Sequence, residues 1–445
     1  MKGTAGNPKN PPFAADERPA ARVRQRRFVE SSNLLAMAAV ADRTVEAAAE
    51  GSDLRFFLAK RDVALDPAVV DDEALKELDE KYIIARHLDA DTVLSKIQDV
   101  VGLEHKEDSI VTHEGLCYQL PSRDPEQQEY NPLLRQLCLR RGKVDSCAVG
   151  DPATSRWAKV ITAVLSHVQY LLLRGERISS DMMCNWDDEV FKGDKKTVDD
   201  ALLDICCLLE CTRTSLNLYE IKKSMVIGPV MFTMEDGLEF PCSSLGPEGG
   251  FIQPKFSKIT VAPGAEVKCI LVVQGHSVFD SFNHAEGGQI RQEFGCVLVT
   301  AGDGQPCVTA QAFLRKLKDC LSVPVYALVN PDPEGLSIFC TYKFGSSEEP
   351  FDNVGLTIPD IKWIGVQLGD ALALDIEDGL PLTREDVLIL EGLCAKKYVM
   401  DDELLMANIH FMMYKGLKSK IEALYYHQFP PTDYIRKAIN NLEGI

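Results

Sequence analysis

The sequence predicts an α/β protein, α+β overall, with an N-terminal helical segment, a unit of two helices with short strands, and a C-terminal parallel sheet flanked by helices. The main observation is a set of three short apolar, β-rich runs that alternate with helical segments: KCILVVQG, CVLVTAGDG and VPVYALVNPDPEG. Such alternation is typical of parallel strands that are buried on both faces. Longer upstream segments repeat their apolar residues at three- and four-residue steps, which favours amphipathic helices.

The charge composition does not favour a protein that binds nucleic-acid phosphates through electrostatic attraction alone. The 445 residues carry a formal net charge of −19, and the only strongly basic stretch is RVRQRR at 22–27. A nucleic-acid binder usually carries a basic surface. The basic stretch is a candidate nuclear signal or phosphate-contacting arm, and a solvated tail with neither role is equally open. No apolar run reaches the roughly 18–20 residues of a membrane span, so we expect no membrane segment.

The 14 cysteines are scattered, with no CxxC pair and no cysteine–histidine group at zinc-finger spacing. Small apolar thiols in a reducing interior explain them best, which favours a nuclear or cytosolic protein.

The first third of the chain divides into three parts. Residues 1–30 form a Pro/Ala-rich basic leader that we expect to be disordered. Residues 31–112 are predicted to be helical, with an Ala/Leu-rich helix at 33–50 and a second helical stretch at 74–103. Residues 113–152 are rich in turn-forming residues, and we expect a linker there, with room for some ordered structure.

Residues 153–235 are predicted to form a winged-helix (CAP-like) unit, a common DNA-docking module. RWAKVITAVLSHVQYLLLRG is an amphipathic helix that Gly175 should end, and KKTVDDALLDICCLLECT is a second helix with Asp194 as its cap. The runs TSLNLYEI and SMVIGPVMFTM resemble short strands around a turn. Two helices followed by a small β-wing is the expected order.

Residues 250–445 contain the predicted parallel sheet. Functional residues of such sheets gather at the carboxyl ends of the strands. Gln274, the glycine turn at 302–304, Asn330 and Asp332 all fall at those ends.

These strand ends resemble a Toprim domain, in which a glutamate after one strand and an Asp-x-Asp after a later strand hold magnesium. With a winged helix upstream, the order resembles the A-type component of archaeal topoisomerase VI and its eukaryotic relatives, which include the meiotic recombination protein that makes double-strand breaks. The resemblance spans about Trp157 to the C-terminus. Its fragments are RTSLNLYEIKKSMVIG, LVTAGDGQP, VNPDPEGLSIFCTYKFGS, KWIG and KIEAL, in the family's order.

The resemblance implies DNA cleavage by a tyrosine hydroxyl with help from Mg²⁺, but the residues for this chemistry are missing. In ISSDMMCNWDDEVF the tyrosine-equivalent position is Cys184 or Asn185, and no tyrosine occurs between 170 and 219. Gln274 replaces the glutamate and Asn330 the first aspartate, so that only Asp332 remains. We therefore expect Mg²⁺ binding, a property of the family, to be weak or absent.

Three hypotheses remain open at this point. The first is a catalytically degenerate paralogue that acts as a scaffold or complex partner in the nucleus. The resemblance implies three partners for it: duplex DNA, bound weakly through Arg213, Lys223 and Lys343; a B-type ATPase subunit, for which the helix at 33–50 is a candidate docking site; and a second A-type chain, identical or related, with which it dimerises. The second hypothesis is an active DNA-cleaving enzyme with a divergent site. The third is a protein-interaction module without a DNA role.

Overall fold

The computed structural model describes residues 72–101, 116–219, 224–234, 236–246, 249–252, 256–283, 288–373, 379–426 and 431–443. The basic leader and the helix predicted at 33–50 lie outside these ranges. All of the described residues belong to one compact unit.

The N-terminal part of the described chain mixes helices with short antiparallel strands. Its elements are α1 (Asp72–Lys81), β1 (Tyr82–Ile83), α2 (Ala90–Val101), β2 (Cys117–Pro121), β3 (Gln128–Asn131), β4 (Gln136–Arg140) and β5 (Val144–Ala148). Strands β1, β4 and β3 form one antiparallel sheet, and β2 pairs with β5.

The helical prediction for this part is confirmed over α1 and α2, and two details need correction. The helix expected over 74–103 is interrupted, because β1 pairs Tyr82 with Arg140. The linker expected at 113–152 is largely stranded, and β2 alternates exposed and buried residues so that Tyr118 and Leu120 reach the core. An alternation of apolar and polar residues over only five positions is a weak strand signal. The strand is stabilised by pairing with a distant segment, and the sequence does not show which segment that is.

The two-helix unit follows as predicted. Its elements are α3 (Ser155–Arg174), β6 (Ile178–Ser179), α4 (Ser180–Met183), α5 (Lys195–Leu209) and β7 (Leu218–Tyr219). Helix α3 ends at Gly175, whose φ of 63° lies in the left-handed region that glycine tolerates. The Asp194 carboxylate caps α5 by accepting a hydrogen bond from the Lys196 amide at 3.0 Å. Buried residues of both helices share one hydrophobic core with α2, β2 and β5.

The next strands are β8 (Met225–Ile227), β9 (Val230–Met234), β10 (Glu239–Pro241), β11 (Gly250–Phe251) and β12 (Phe256–Val261). Strand β9 lies between β10 and β12 in an antiparallel sheet. The predicted wing of β7 and β8 is not formed by the described residues, since β7 pairs in parallel with β6 instead.

The predicted parallel sheet is present and organises the C-terminal half. It is built with β13 (Cys269–Val273), α6 (His276–Asn283), α7 (Gly288–Phe294), β14 (Cys296–Thr300), α8 (Val308–Leu321), β15 (Val325–Leu328), α9 (Pro333–Phe344), α10 (Asn353–Leu356) and β16 (Lys362–Gly365). The strand order is β11-β8-β14-β13-β15-β16. The four strands from β14 to β16 run parallel, and β8 joins them antiparallel along β14.

The remaining elements are α11 (Leu368–Ala373), β17 (Leu380–Pro381), α12 (Arg384–Cys394), α13 (Lys397–Met400), α14 (Glu403–Lys415), β18 (Leu417–Lys418) and α15 (Pro431–Glu443). Separate apolar clusters cover the two faces of the large sheet, one including α8, α9, α12 and α14, the other α6 and α15. Every residue of β13, β14 and β15 is buried, as expected for strands covered on both faces. No helix within the described ranges is long and apolar enough to cross a bilayer.

Candidate metal centre and tyrosine-equivalent position

The predicted site residues of the large sheet do lie together. Strands β13 and β15 are neighbours in parallel register, with Val273 opposite Leu328, so Gln274 and Asn330 follow their ends on the same edge. The loop after β14 adds Asp303 to this edge. The alternation of apolar runs was enough to predict this convergence.

Gln274 connects the three strand ends through its side-chain amide. Its Nε2 donates to the Asp303 carbonyl oxygen at 3.2 Å, and its Oε1 accepts from the Asn330 amide at 2.8 Å. The residue is only 6% exposed. A glutamate could accept the second bond but could not donate the first.

Asn330 and its neighbour hold a distant part of the chain. The Asn330 Oδ1 accepts from the Ile421 amide at 3.0 Å, and the Pro331 carbonyl accepts from the Ser419 amide at 3.0 Å. Sequence reasoning did not assign Ser419 and Ile421 to the site. Their only signal was the KIEAL fragment, which begins at Lys420.

Asp332 caps helix α9. Its Oδ1 accepts from the Gly335 amide at 2.6 Å, as expected for an N-cap aspartate followed by proline. Burial raises the pKa of Asp332 to about 6, against the opposing effect of this hydrogen bond. Gly335 is required here by close approach, because a Cβ atom would lie 2.3 Å from the Asn330 carbonyl oxygen and 3.0 Å from the Gln274 Oε1.

These three residues do not fit a magnesium ion. Mg²⁺ needs near-octahedral oxygen ligands and favours carboxylates. The site offers one carboxylate and two neutral amides, and each of the three has a side-chain oxygen committed to a backbone amide. Across the described part of the chain, no group of three His, Cys, Asp or Glu residues could hold a metal ion. The nearby His276 has its Nδ1 3.9 Å from the Asp303 carboxylate, which is 82% exposed.

The tyrosine-equivalent stretch lies between α3 and α5. Cys184 is buried, 7% exposed, and its thiol donates to the Asp181 carbonyl at 3.1 Å. Asn185 is exposed, and its Nδ2 donates to the same carbonyl at 3.5 Å. Asp181 also forms an ion pair with Lys195. The two side chains thus face a backbone oxygen, and no cation of the kind that activates a thiol contacts Cys184 among the described residues.

Two of the predicted DNA-contact residues are engaged within the protein. Arg213 is 6% exposed, and its guanidinium contacts Asp199 at 3.4 Å and Glu349 at 3.1 Å. The Lys343 ammonium contacts Asp402 at 2.6 Å. Lys223 lies outside the described residues. Arg213 and Lys343 therefore pair with carboxylates of this protein, whereas the sequence led us to expect that they contact DNA. A sequence motif identifies basic residues but does not show which carboxylates the fold places beside them.

Comparison with known proteins agrees with this architecture. The family model for the Toprim domain of the topoisomerase 6 A-type component and Spo11 matches residues 269–439. The chain is 32% identical to the A3 component of DNA topoisomerase 6 from Oryza sativa subsp. indica over 345 residues, covering 77% of this chain and 76% of that protein. It is 30% identical to the A component of DNA topoisomerase 6 from Arabidopsis thaliana, over 71% of this chain and 73% of the relative.

A third relative comes from an animal. Meiotic recombination protein SPO11 of Mus musculus is 28% identical over 66% of this chain and 72% of that protein. The identity to the rice relative extends over more than two thirds of both chains. It therefore shows membership of the same family and not only a similar fold. The chain belongs to the family formed by the A-type component of topoisomerase 6 and Spo11.

Proposed function

We propose that this chain is a catalytically degenerate A-type component, which keeps the family's fold and acts as a scaffold or complex partner rather than as a DNA-cleaving enzyme. The observation that carries the proposal is the hydrogen bonding of the strand-end site. The side chains of Gln274, Asn330 and Asp332 each accept a hydrogen bond from a backbone amide, and Gln274 also donates one to the Asp303 carbonyl. A site closed in this way would have to break internal hydrogen bonds before it could coordinate Mg²⁺.

The tyrosine-equivalent stretch supports the same proposal. A nucleophile must reach the scissile phosphate and be activated by a base or a lowered pKa. Cys184 is buried against a carbonyl, and Asn185 has no nucleophilic group. The nearest charged residues in the sequence, Asp181, Asp187 and Asp188, are all acidic, so none of them is a cation that could assist a nucleophile.

The proposed partners follow from the family. The relatives are named as components of topoisomerase 6 and as a meiotic recombination protein. We propose that this chain pairs with an identical or related A-type chain, joins a B-type ATPase subunit, meets duplex DNA only weakly, and works in the nucleus. The formal charge of −19 supports the weak DNA contact.

A plasmid cleavage assay tests the lack of catalysis. The purified protein is incubated with supercoiled plasmid and Mg²⁺, with and without a B-type partner, and the Arabidopsis relative serves as the positive control. We expect neither relaxation nor a covalent protein–DNA adduct. An adduct that is lost in Cys184→Ala would contradict the proposal, and circular dichroism of that variant checks that it is folded.

Metal titration tests the closed site directly. Because ligand binding to the native state raises the melting temperature, a Mg²⁺ titration reports binding without any activity readout. We expect no shift for the natural protein at Mg²⁺ concentrations up to about 10 mM, roughly ten times the dissociation constant of the weakest protein sites for Ca²⁺, the related hard cation. The double substitution Gln274→Glu with Asn330→Asp restores both carboxylates, and we expect a Mg²⁺-dependent rise in that variant. A shift in the natural protein that disappears in Asp332→Asn would show a working site.

A further inference from the structure

A group of exposed apolar side chains lies beside the tyrosine-equivalent position. Tyr170 and Leu173, on α3, are 45% and 69% exposed, and Met182 and Trp186, in the segment after α3, are 54% and 38% exposed. The Trp186 ring meets the Tyr170 ring edge-on, with 6.1 Å between centroids. Tyr170 and Leu173 are three residues apart and so share one helix face. We call these four residues the Trp186 patch.

The indole at the centre of the Trp186 patch is held in place. Its ring packs edge-on against His167 at 5.1 Å, and its backbone amide donates to the Met183 carbonyl at 3.0 Å. His167 in turn packs against the buried Phe191. An aromatic side chain that is positioned before binding loses little freedom when a partner covers it, which is a property of binding hot spots.

The border of the patch next to Trp186 is acidic, whereas on the Tyr170 side the Arg174 guanidinium lies over the Tyr170 ring at 5.1 Å and is paired with Glu176 at 2.9 Å. Between Asp181 and Lys192 the chain has four acidic residues and one lysine. Asp181 is paired with Lys195, and Asp187 accepts a hydrogen bond from the Val190 amide at 3.0 Å. Asp188 and Glu189 are exposed. Because Arg174 is paired with Glu176 while Asp188 and Glu189 are exposed, the side of the patch next to Trp186 repels a phosphate backbone and attracts a basic surface.

We propose that the Trp186 patch docks an amphipathic helix of a partner protein, which places apolar side chains on Trp186 and Leu173 and lysine or arginine side chains beside Asp188 and Glu189. The inference extends the proposed scaffold role and rests on it in one respect, namely that DNA does not occupy this surface. A helix that lays its apolar face on a surface contacts it through anchors at three- and four-residue steps, and Tyr170 and Leu173 offer two exposed apolar side chains on one face of α3 for such anchors. Because the patch is small, we expect an affinity in the micromolar range.

The test uses a synthetic peptide as the probe. A fluorescent 18-residue helix with leucines on one face and lysines on the other is titrated with the full chain, and anisotropy is measured. Two further peptides keep the leucine face but carry glutamates, or keep the composition in scrambled order. We expect the basic amphipathic helix to bind at least 10-fold more tightly than either control.

Substitutions then locate the binding surface. We expect Leu173→Ala and Trp186→Ala each to weaken peptide binding by 10-fold or more, and Tyr414→Ala, which truncates an 83% exposed side chain on α14, to change it less than twofold. Leu173 is more exposed than Trp186, so we expect Leu173→Ala to fold even if Trp186→Ala does not. Leu173→Ala then tests the surface by itself. The pair Asp188→Asn and Glu189→Gln should weaken binding about threefold to 10-fold. The charge-matched pair Glu266→Gln and Asp280→Asn, also exposed, should not.

Three outcomes would overturn the inference. Equal binding of the glutamate peptide would remove the role of the acidic border. Loss of self-association of the protein in Leu173→Ala, measured by sedimentation, would assign the surface to a second copy of this chain. An equal loss of duplex DNA binding in Leu173→Ala would make it a DNA contact. Peptide binding and plasmid cleavage are separate readouts, so a failure of peptide binding leaves the proposed function standing and is distinguishable from a failure of the proposed function, which the cleavage assay detects.

Discussion

At the scale of single residues, Gln274 stands where the Toprim resemblance implies a glutamate, and its neutral amide makes hydrogen bonds to two other strand ends. Its amide is both donor and acceptor, and it joins the Asp303 carbonyl to the Asn330 amide. A carboxylate at the same position would place negative charge against a carbonyl oxygen and leave that oxygen without its donor. The amide therefore stabilises the strand ends in the absence of a cation, where a glutamate would not.

We predict that Gln274→Glu lowers the free energy of unfolding by about 1–3 kcal/mol when no metal is added, because one buried hydrogen bond is lost and a charge is placed near a carbonyl. Urea denaturation in the presence of a chelator measures it. Gln292→Glu, the same change at an exposed position of α7, is the control and should cost less than about 0.5 kcal/mol. Equal effects of the two changes would show that the Gln274 amide has no special role.

The candidate site was partly predictable from sequence at this scale. Apolar runs followed by Gln274, Asn330 and Asp332 were enough to bring these residues to one edge, because parallel strands place their carboxyl ends together. The hydrogen bonds to Ser419 and Ile421 were not predictable, since they join positions about 90 residues apart through backbone amides, which carry no side-chain signal. That two metal ligands are missing stays a prediction from the sequence, and the structure adds the hydrogen bonds that Gln274 and Asn330 make.

At the scale of elements, Arg213 joins the two-helix unit to the large-sheet half of the chain. It follows α5 in a short 3₁₀ turn, Arg213–Leu216, and reaches Asp199 on α5 and Glu349 in the loop between α9 and α10. Arg213 and Glu349 are 6% and 9% exposed. Burial raises the pKa of the adjacent Asp352 well above its ordinary range, and Glu349 adds to the effect.

We predict that Arg213→Ala destabilises the protein by about 3–5 kcal/mol, because it leaves the Glu349 carboxylate buried without its guanidinium. Chemical denaturation measures the loss, and Glu349→Gln in the same background should restore part of it. Arg174→Ala removes an exposed pair with Glu176 and should cost at most about 1 kcal/mol. If Arg213→Ala left stability unchanged but weakened DNA binding, the residue would be a DNA contact after all.

The second prediction at this scale concerns the strands found in residues 113–152. Tyr118 on β2 is 1% exposed, and its hydroxyl is 2.8 Å from the Thr162 hydroxyl on α3. We predict that Tyr118→Ala costs about 3–5 kcal/mol, as for other large-to-small changes of buried aromatic residues. Val144→Ala, at a 50% exposed position of β5, is the matched control. Thermal denaturation of both variants distinguishes an integral sheet from a linker, in which neither change would matter.

Sequence patterns predicted some elements better than others for a physical reason. Helices α3 and α5 have long periodic apolar faces and are capped locally, by Gly175 and Asp194. The sequence signals that specify each helix therefore lie within about 20 residues. Strand β8 is only three residues long, and its place in the large sheet depends on Val299, which lies opposite Val226. Short apolar runs do not specify a partner, and the predicted wing therefore assigned β8 to the wrong sheet.

At the scale of the whole molecule, the described parts pack as one body around these junctions. The Tyr130 ring of β3 stacks on Tyr398 of α13 with centroids 5.1 Å apart. The Asn353 amide donates to the Leu137 carbonyl at 2.8 Å, and the Ala85 amide donates to the Phe351 carbonyl at 2.8 Å. The N-terminal strands thus contact the large-sheet half directly.

The net charge of the whole molecule leads to a last prediction, on DNA binding. The slope of log affinity against log salt is about −0.9 for each phosphate that a protein neutralises on duplex DNA. With a net charge of −19, and with Arg213 and Lys343 already contacting carboxylates, we predict a slope no steeper than about −3, which means roughly three phosphates or fewer.

Anisotropy of a labelled duplex between about 50 and 200 mM salt measures this slope, and the Arabidopsis relative measured under the same conditions gives the reference. Lys268→Ala is the control, because it removes one exposed positive charge that is not among the predicted DNA contacts. Lys268 faces Glu266 at 3.7 Å, and its loss should leave the slope unchanged. A slope near −6 or steeper would require a basic surface that grips six or more phosphates. Such a surface would have to draw on residues beyond the carboxylate-paired Arg213 and Lys343, and the chain would then bind DNA as a principal ligand.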